Sequence, residues 1–229
     1  TVEGVESYSL DNGLSVLLVP EPSQSKLTVE LVYRVGSRHE GSGEAGMAHL
    51  LEHMLFKGSP RHPDQRSEFQ EHGADFNAET SLDYTAYYET LLATPENLRF
   101  ALDLEADRMT AARLNAKDLS REFSVVRNEL ENGENSAHEI LQQRLLHIAY
   151  PWHGYGRDTI GNRSDVENVP IERLRQFYQK HYQPDNATLI VAGAFDKDLA
   201  LREIGRLFSR LPRPARRLLP TYTVEPVQD

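Results

Sequence analysis

The sequence predicts an α+β fold in which an antiparallel-rich mixed sheet is layered with helices on one side. Residues 7–35 alternate apolar and polar side chains around a hairpin turn at Asn12-Gly13, which is the pattern of strands with one buried face. Later segments combine helical spacing of apolar residues with further strand-like stretches. The 229 residues are 39% hydrophobic and 26% charged, which is ordinary for a globular protein.

The elements follow one another along the chain with few ambiguous stretches. Residues 7–10 and 14–19 form the first hairpin, and residues 27–35 alternate as a third strand. A glycine-rich loop over residues 36–46 leads to the first helix. Further strands are predicted at residues 75–79, 84–92 and 187–192. Helices are predicted at residues 44–56, 64–72, 95–109, 118–131, 170–181 and 197–208, with a capping box at residues 136–139 that restarts a helix.

Composition limits the classes of function. The net charge of −10 argues against a nucleic-acid surface, which needs clustered Lys and Arg. No stretch approaches the length of apolar sequence that crosses a bilayer, so no membrane span is expected. The absence of cysteine excludes disulfides, thiolate zinc sites and cysteine nucleophiles. Residues 1–210 are expected to form one domain, and the proline-bearing residues 211–229 to form a linker.

The pentapeptide His49-Leu50-Leu51-Glu52-His53 carries the chemistry. On a helix, the neighbouring apolar side chains form one stripe, while His49, Glu52 and His53 share the opposite face. Two imidazoles at i and i+4 can chelate one Zn²⁺, and the adjacent Glu52 can take a proton from a water molecule. A solvated helix face is the alternative, but the complete H-x-x-E-H pattern is an inverted zinc motif. A catalytic zinc site also needs a third protein ligand.

Residues 36–40 and 46–58, which include this motif, closely resemble the insulinase/pitrilysin family, to which the mitochondrial processing peptidases belong. The resemblance implies a metallopeptidase half-domain of the processing-peptidase type. In that family a glutamate 76 residues after the second histidine completes the zinc site, and another lies seven residues earlier. The corresponding positions are Glu129 and Glu122. The resemblance therefore implies that Glu129 is the third ligand and that Glu122 assists catalysis by orienting a histidine or the water.

The residues around these glutamates agree with that assignment. Glu122 and Glu129 lie two helical turns apart on one flank of an apolar stripe, from which a carboxylate can reach a metal site. The stripe consists of Leu119, Phe123, Val126 and Leu130. Ordinary surface acids are the alternative, since most glutamates are exposed.

Residues 73–80 resemble the strand of the family to which substrate peptides add. The resemblance implies that Asn77 and Ala78 contact the peptide as it extends the sheet. A plain hairpin edge with a turn-forming asparagine is the alternative.

Together these features predict a zinc-dependent endopeptidase that cleaves peptides or unfolded segments through a metal-activated water, with Glu52 as general base. Zn²⁺ is the expected cofactor. Family members are longer, so residues 211–229 are expected to lead to a second homologous domain, or a homologous subunit is expected to pair with this chain. A non-catalytic partner subunit and a purely structural zinc site are the alternatives. The compartment is left open; the absence of an initial Met slightly favours the periplasm over the cytoplasm or mitochondrial matrix.

Overall fold

The fold of the chain is described by a computed structural model for residues 4–218. Its centre is a six-stranded mixed sheet in the order β1-β2-β6-β3-β5-β4. The strands are β1 (Glu6–Ser9), β2 (Ser15–Pro20), β3 (Lys26–Tyr33), β4 (Asp75–Thr80), β5 (Thr85–Leu92) and β6 (Ala187–Gly193). Only β2 and β6 pair in parallel, and the other neighbours are antiparallel. The predicted antiparallel-rich mixed sheet is confirmed.

Eight α-helices accompany the sheet within residues 4–218. They are α1 (Met47–Met54), α2 (Gln65–Glu71), α3 (Pro95–Ala111), α4 (Ala116–Gly133), α5 (Ala137–Ala149), α6 (Arg163–Asn168), α7 (Ile171–His181) and α8 (Lys197–Phe208). Alternate residues of β3 are fully buried and the residues between them are half-buried, so one sheet face carries the core. In this part of the chain, no helix has the length and apolarity needed to span a membrane.

The start of α1 is fixed by contacts from two loops. The carboxylate of Glu40 accepts the backbone N–H groups of Gly46 at 2.9 Å and Ala48 at 2.8 Å, which satisfies donors that a helix N-terminus leaves free. Gly46 has a φ of 93°, and a Cβ there would come within 2.5 Å of the Ile160 carbonyl oxygen. Only glycine fits this conformation and this approach. Both contacts hold α1 in place against the body of the domain.

A buried ion pair lies on α3, between two residues one helical turn apart. Arg108 donates from Nη1 to Glu105 Oε1 at 2.5 Å, and its guanidinium lies over the rings of Tyr87 and Phe56 at 4.9 and 5.1 Å. Burial beside Glu105 raises the pKa of Glu89 well above its ordinary value. Burial therefore favours the neutral form of Glu89, while Arg108 compensates the charge of Glu105.

The segment predicted as a linker, residues 211–229, is described as far as residue 218. Leu211 packs against the core, and Arg216 forms an ion pair with Asp185 at 2.6 Å. The rest of that predicted linker, residues 219–229, lies outside the described residues.

Candidate metal centre

Helix α1 and helix α4 bring the three predicted ligands together. The Nε2 atoms of His49 and His53 are 3.3 Å apart, as expected for imidazoles one turn apart on a helix. The Oε2 atom of Glu129 on α4 lies 3.6 Å from His49 Nε2 and 3.5 Å from His53 Nε2. Three donor atoms thus form a nearly equilateral triangle.

The size of this triangle fits a zinc ion. Zinc bonds to histidine nitrogen and carboxylate oxygen are about 2.0–2.2 Å long, so tetrahedral donors are separated by roughly 3.4 Å. The three separations observed here are 3.3, 3.5 and 3.6 Å. Within residues 4–218, His49, His53 and Glu129 form the one group of three or more His, Cys, Asp or Glu side chains close enough to hold a metal ion. Burial lowers the pKa of His49 to about 4, which keeps the imidazole in the neutral form that binds metals.

Glu122 supports the centre from behind. Its side chain is 8% exposed, and its Oε2 atom lies 3.1 Å from His53 Nδ1. The other oxygen, Oε1, forms an ion pair with Lys57 Nζ at 2.5 Å. The carboxylate can therefore fix the orientation and tautomer of His53, whose Nε2 atom faces the other two donors.

Glu52 lies on α1 beside the three donors without being one of them. The hydroxyl of Thr80, at the end of β4, donates to Glu52 Oε2 at 2.5 Å. Burial raises the pKa of Glu52, and the hydrogen bond from Thr80 opposes that shift. A carboxyl group with a raised pKa is better matched to proton transfer near neutral pH than an exposed one.

Asn77 and Ala78 lie on β4, the strand at one edge of the sheet. Ala78 is opposite Tyr87 and is buried, whereas Asn77 is opposite Tyr88 and is exposed. The same strand ends at Thr80, so its edge leads directly to Glu52.

A groove of about 810 Å³ adjoins the donors. His49 and Glu129 line its inner end, and its walls come from the β4–β5 turn, α4, α5 and the loop over residues 156–163. Both acidic and arginine side chains line it: Glu79, Glu131, Glu134, Glu139 and Asp158, and Arg127, Arg157 and Arg163.

The contacts of Lys57 with Glu122 and of Thr80 with Glu52 were not predicted from the sequence. Lys57 lies four residues after His53, a spacing that could have drawn attention to it. Thr80 and Glu52 are 28 residues apart in sequence. No local sequence pattern predicts a contact over such a separation.

Comparison with known proteins identifies the family of the chain. Residues 15–163 match the family model described as Insulinase (Peptidase family M16). The chain belongs to the insulinase family. All five predicted metal and catalytic residues lie within that match. Residues 168–229 match a second model of the same family, described as Peptidase M16 inactive domain.

Individual insulinase-family members match over nearly the whole chain. Zinc protease PqqE of Helicobacter pylori is 33% identical over 98% of this chain and 51% of its own length. A probable mitochondrial-processing peptidase subunit beta of Arabidopsis thaliana is 30% identical over 89% of the chain and 38% of its own length. The crystal structure of a protease from Helicobacter pylori superposes with a TM-score of 0.89 at 31% identity, covering 97% of this chain and 54% of that one. The chain thus spans about half the length of curated relatives such as these.

Proposed function

We propose that this chain carries the catalytic zinc site of an insulinase-family endopeptidase. The observation that carries the proposal is the triangle of His49, His53 and Glu129, with the carboxylate of Glu52 beside it on the same helix. A structural zinc site would use four protein ligands and would not need a buried, unligated carboxylate next to it.

In this proposal His49, His53 and Glu129 hold Zn²⁺. When bound, the ion supplies Lewis acidity that polarises the scissile carbonyl and lowers the pKa of a water molecule. Glu52 removes a proton from the attacking water and delivers it to the departing amine. The hydroxyl of Thr80 holds one Glu52 oxygen, leaving the other free for the proton. Glu122 holds the Nδ1–H group of His53 and thereby keeps Nε2 directed at the ion.

The substrate is proposed to be an extended peptide that adds to the edge of β4. An edge strand offers unpaired backbone groups to another chain. Asn77 and Ala78 lie in the middle of that strand, and Thr80 at its end contacts the general base. A peptide bound there would run past Glu52, which brings its backbone to the site of cleavage.

Glu52→Gln tests the proposal. The variant should retain one zinc ion per chain by elemental analysis, because Glu52 is not a ligand. Cleavage of an unstructured peptide by the complete gene product should fall at least about 100-fold, within the usual contribution of general acid–base catalysis. Glu134→Gln, which alters another acid lining the groove, is the matched control and should cleave normally. Zinc binding with near-normal cleavage by Glu52→Gln would refute the role of Glu52.

A non-catalytic family member that binds peptide or scaffolds a complex is the second candidate. The observation that favours this second candidate is the match of residues 168–229 to the model of an inactive domain. The two candidates separate in the same experiment, because a non-catalytic chain would bind zinc without turnover in the complete wild-type protein. Glu129→Gln should abolish zinc binding under either candidate.

A further inference from the structure

Helix α5 is a long helix with almost no packing partner in this part of the chain. None of its thirteen residues is buried, and only Ile140 and Leu146 are even partly covered. Isolated helices of this length are marginal in water, and helices in proteins gain most of their stability from burying an apolar face. We therefore expect α5 to be stabilised by packing against another surface.

The uncovered face of α5 is apolar. Leu141, Leu145 and Ile148 are 68%, 63% and 76% exposed, and their i, i+4, i+7 spacing places them on one side of the helix. Trp152, just beyond the helix, is 84% exposed. We refer to these four residues as the α5 stripe. Single exposed apolar residues are common, but several on one side of a helix are the pattern of an interaction surface.

The α5 stripe is held in a fixed orientation. The C-terminal end of α5 packs against the turn at Gly154–Gly156. A Cβ on Gly156 would lie 2.1 Å from the Tyr150 carbonyl oxygen, so the two segments are in direct backbone contact. The stripe is thus presented by an anchored helix, which lowers the entropy lost on docking.

The stripe does not belong to the groove beside the metal donors. That groove is lined by other residues of α5: Glu139, Gln142, Gln143 and Leu146. Leu141 and Leu145 lie on a different side of the helix. A peptide in the groove would leave the stripe exposed.

We infer that the α5 stripe is the docking surface for the second half of the longer polypeptide, the half that family members carry beyond the region matched here. The chain covers 51% of its relatives at about 30% identity, so a body of similar size is available to cover it. A second copy of this chain fits less well, because each copy would bring a net charge of −10 and like charges oppose association. The inference does not depend on peptidase activity.

Single-cysteine variants test the docking. The chain has no cysteine, so Leu141→Cys and Leu145→Cys each introduce the one thiol of these 229 residues. Their alkylation by N-ethylmaleimide is followed by mass spectrometry of the α5 peptide, both in this chain and in the complete gene product. We expect labelling at least tenfold slower in the complete product. Arg202→Cys on α8, also at an exposed position, is the control and should label equally in both.

The occupant is identified by incorporating the photoreactive amino acid p-benzoylphenylalanine in place of Leu145 during synthesis of the complete gene product and then irradiating it, so that no reagent has to reach a covered thiol. We expect cross-linked peptides from the second half. Equal labelling in both forms would overturn the inference, as would cross-links to α5 of another copy or a gene product that lacks a second half. Loss of zinc or of cleavage by the Glu52 and Glu129 variants would leave these readouts unchanged, so failure of the peptidase proposal is distinguishable.

Discussion

Replacing Glu122 by Gln tests how far the buried carboxylate behind His53 contributes to metal binding. Glu122 is 8% exposed and bridges His53 Nδ1 at 3.1 Å and Lys57 Nζ at 2.5 Å. Gln keeps the size of the side chain, and its amide oxygen can still accept from Nδ1–H. It removes the negative charge that makes His53 a stronger ligand. Loss of such a partner typically weakens metal affinity 10- to 100-fold, or about 1.4–2.7 kcal/mol.

The structure also predicts how Lys57 contributes. Its side chain is 33% exposed, so in Glu122→Gln the ammonium group can turn to water and is not left as a buried unpaired charge. Lys57→Met removes the cation but leaves the carboxylate in contact with His53. We expect the zinc affinity of Lys57→Met to stay within about threefold of wild type, because the ligand's own partner is intact.

Zinc dissociation constants are measured by competition with a chromophoric chelator at one fixed pH, because ligand protonation makes the affinity depend on pH. Glu131→Gln is the matched control: it makes the same change on the same helix, at a residue whose side chain is 52% exposed. It should bind zinc within about twofold of wild type, as expected for a surface ion pair. Unchanged affinity in Glu122→Gln, or an equal loss in Glu131→Gln, would refute the reasoning.

Three further predictions address the base, the core and the pH dependence. Thr80→Val should lower peptide cleavage about tenfold at full zinc content, because Glu52 loses its hydrogen bond; loss of zinc instead would show that Thr80 supports the fold. In urea unfolding, Arg108→Met should cost about 3–5 kcal/mol, whereas Glu89→Gln should cost under about 1, because only the first leaves a buried charge unpaired. Burial lowers the pKa of His181 to about 3, so the unfolded chain binds its proton first and stability falls as pH drops below about 6.5. His181→Phe should reduce that slope by up to about 1.4 kcal/mol per pH unit between pH 4 and 6, and an unchanged slope would contradict the assignment.

Local spacing predicted most elements of the fold because it depends on neighbours in sequence. The first hairpin and the third strand agree with β1, β2 and β3 within a few residues. The first helix, predicted over residues 44–56, is shorter in the structure. It begins after Gly46, whose positive φ cannot continue a right-handed helix backwards. The short helix α6 was not predicted, since six residues are too few to establish a period.

The order of the strands could not be read from the sequence. β6 lies between β2 and β3, so Val191 is opposite Leu18 on one side and Val29 on the other. An apolar strand of seven residues fits any interior position of a sheet, and pairing across more than 150 residues leaves no local signal. Contacts between residues distant in sequence were equally unpredictable at the candidate site. His49, Glu52 and His53 are recognisable together because one helix spaces them, whereas the contact from Thr80 exists only in the folded sheet.

The position of β6 also bears on how the metal centre is built. The family model that contains every predicted metal-ligand and catalytic residue ends at residue 163, yet the sheet is completed by β6 from the segment matched as an inactive domain. Helix α7 from that segment packs against α1. The hydroxyl of Tyr178 on α7 donates to the Arg108 carbonyl oxygen at 2.6 Å, and the ring of Tyr182 lies 4.6 Å from that of Tyr33 on β3. Since α1, which carries His49 and His53, is held by both segments, the segment matched as an inactive domain is part of the unit that fixes the geometry of the candidate site. The boundary between the two family models is therefore not a boundary between folding units.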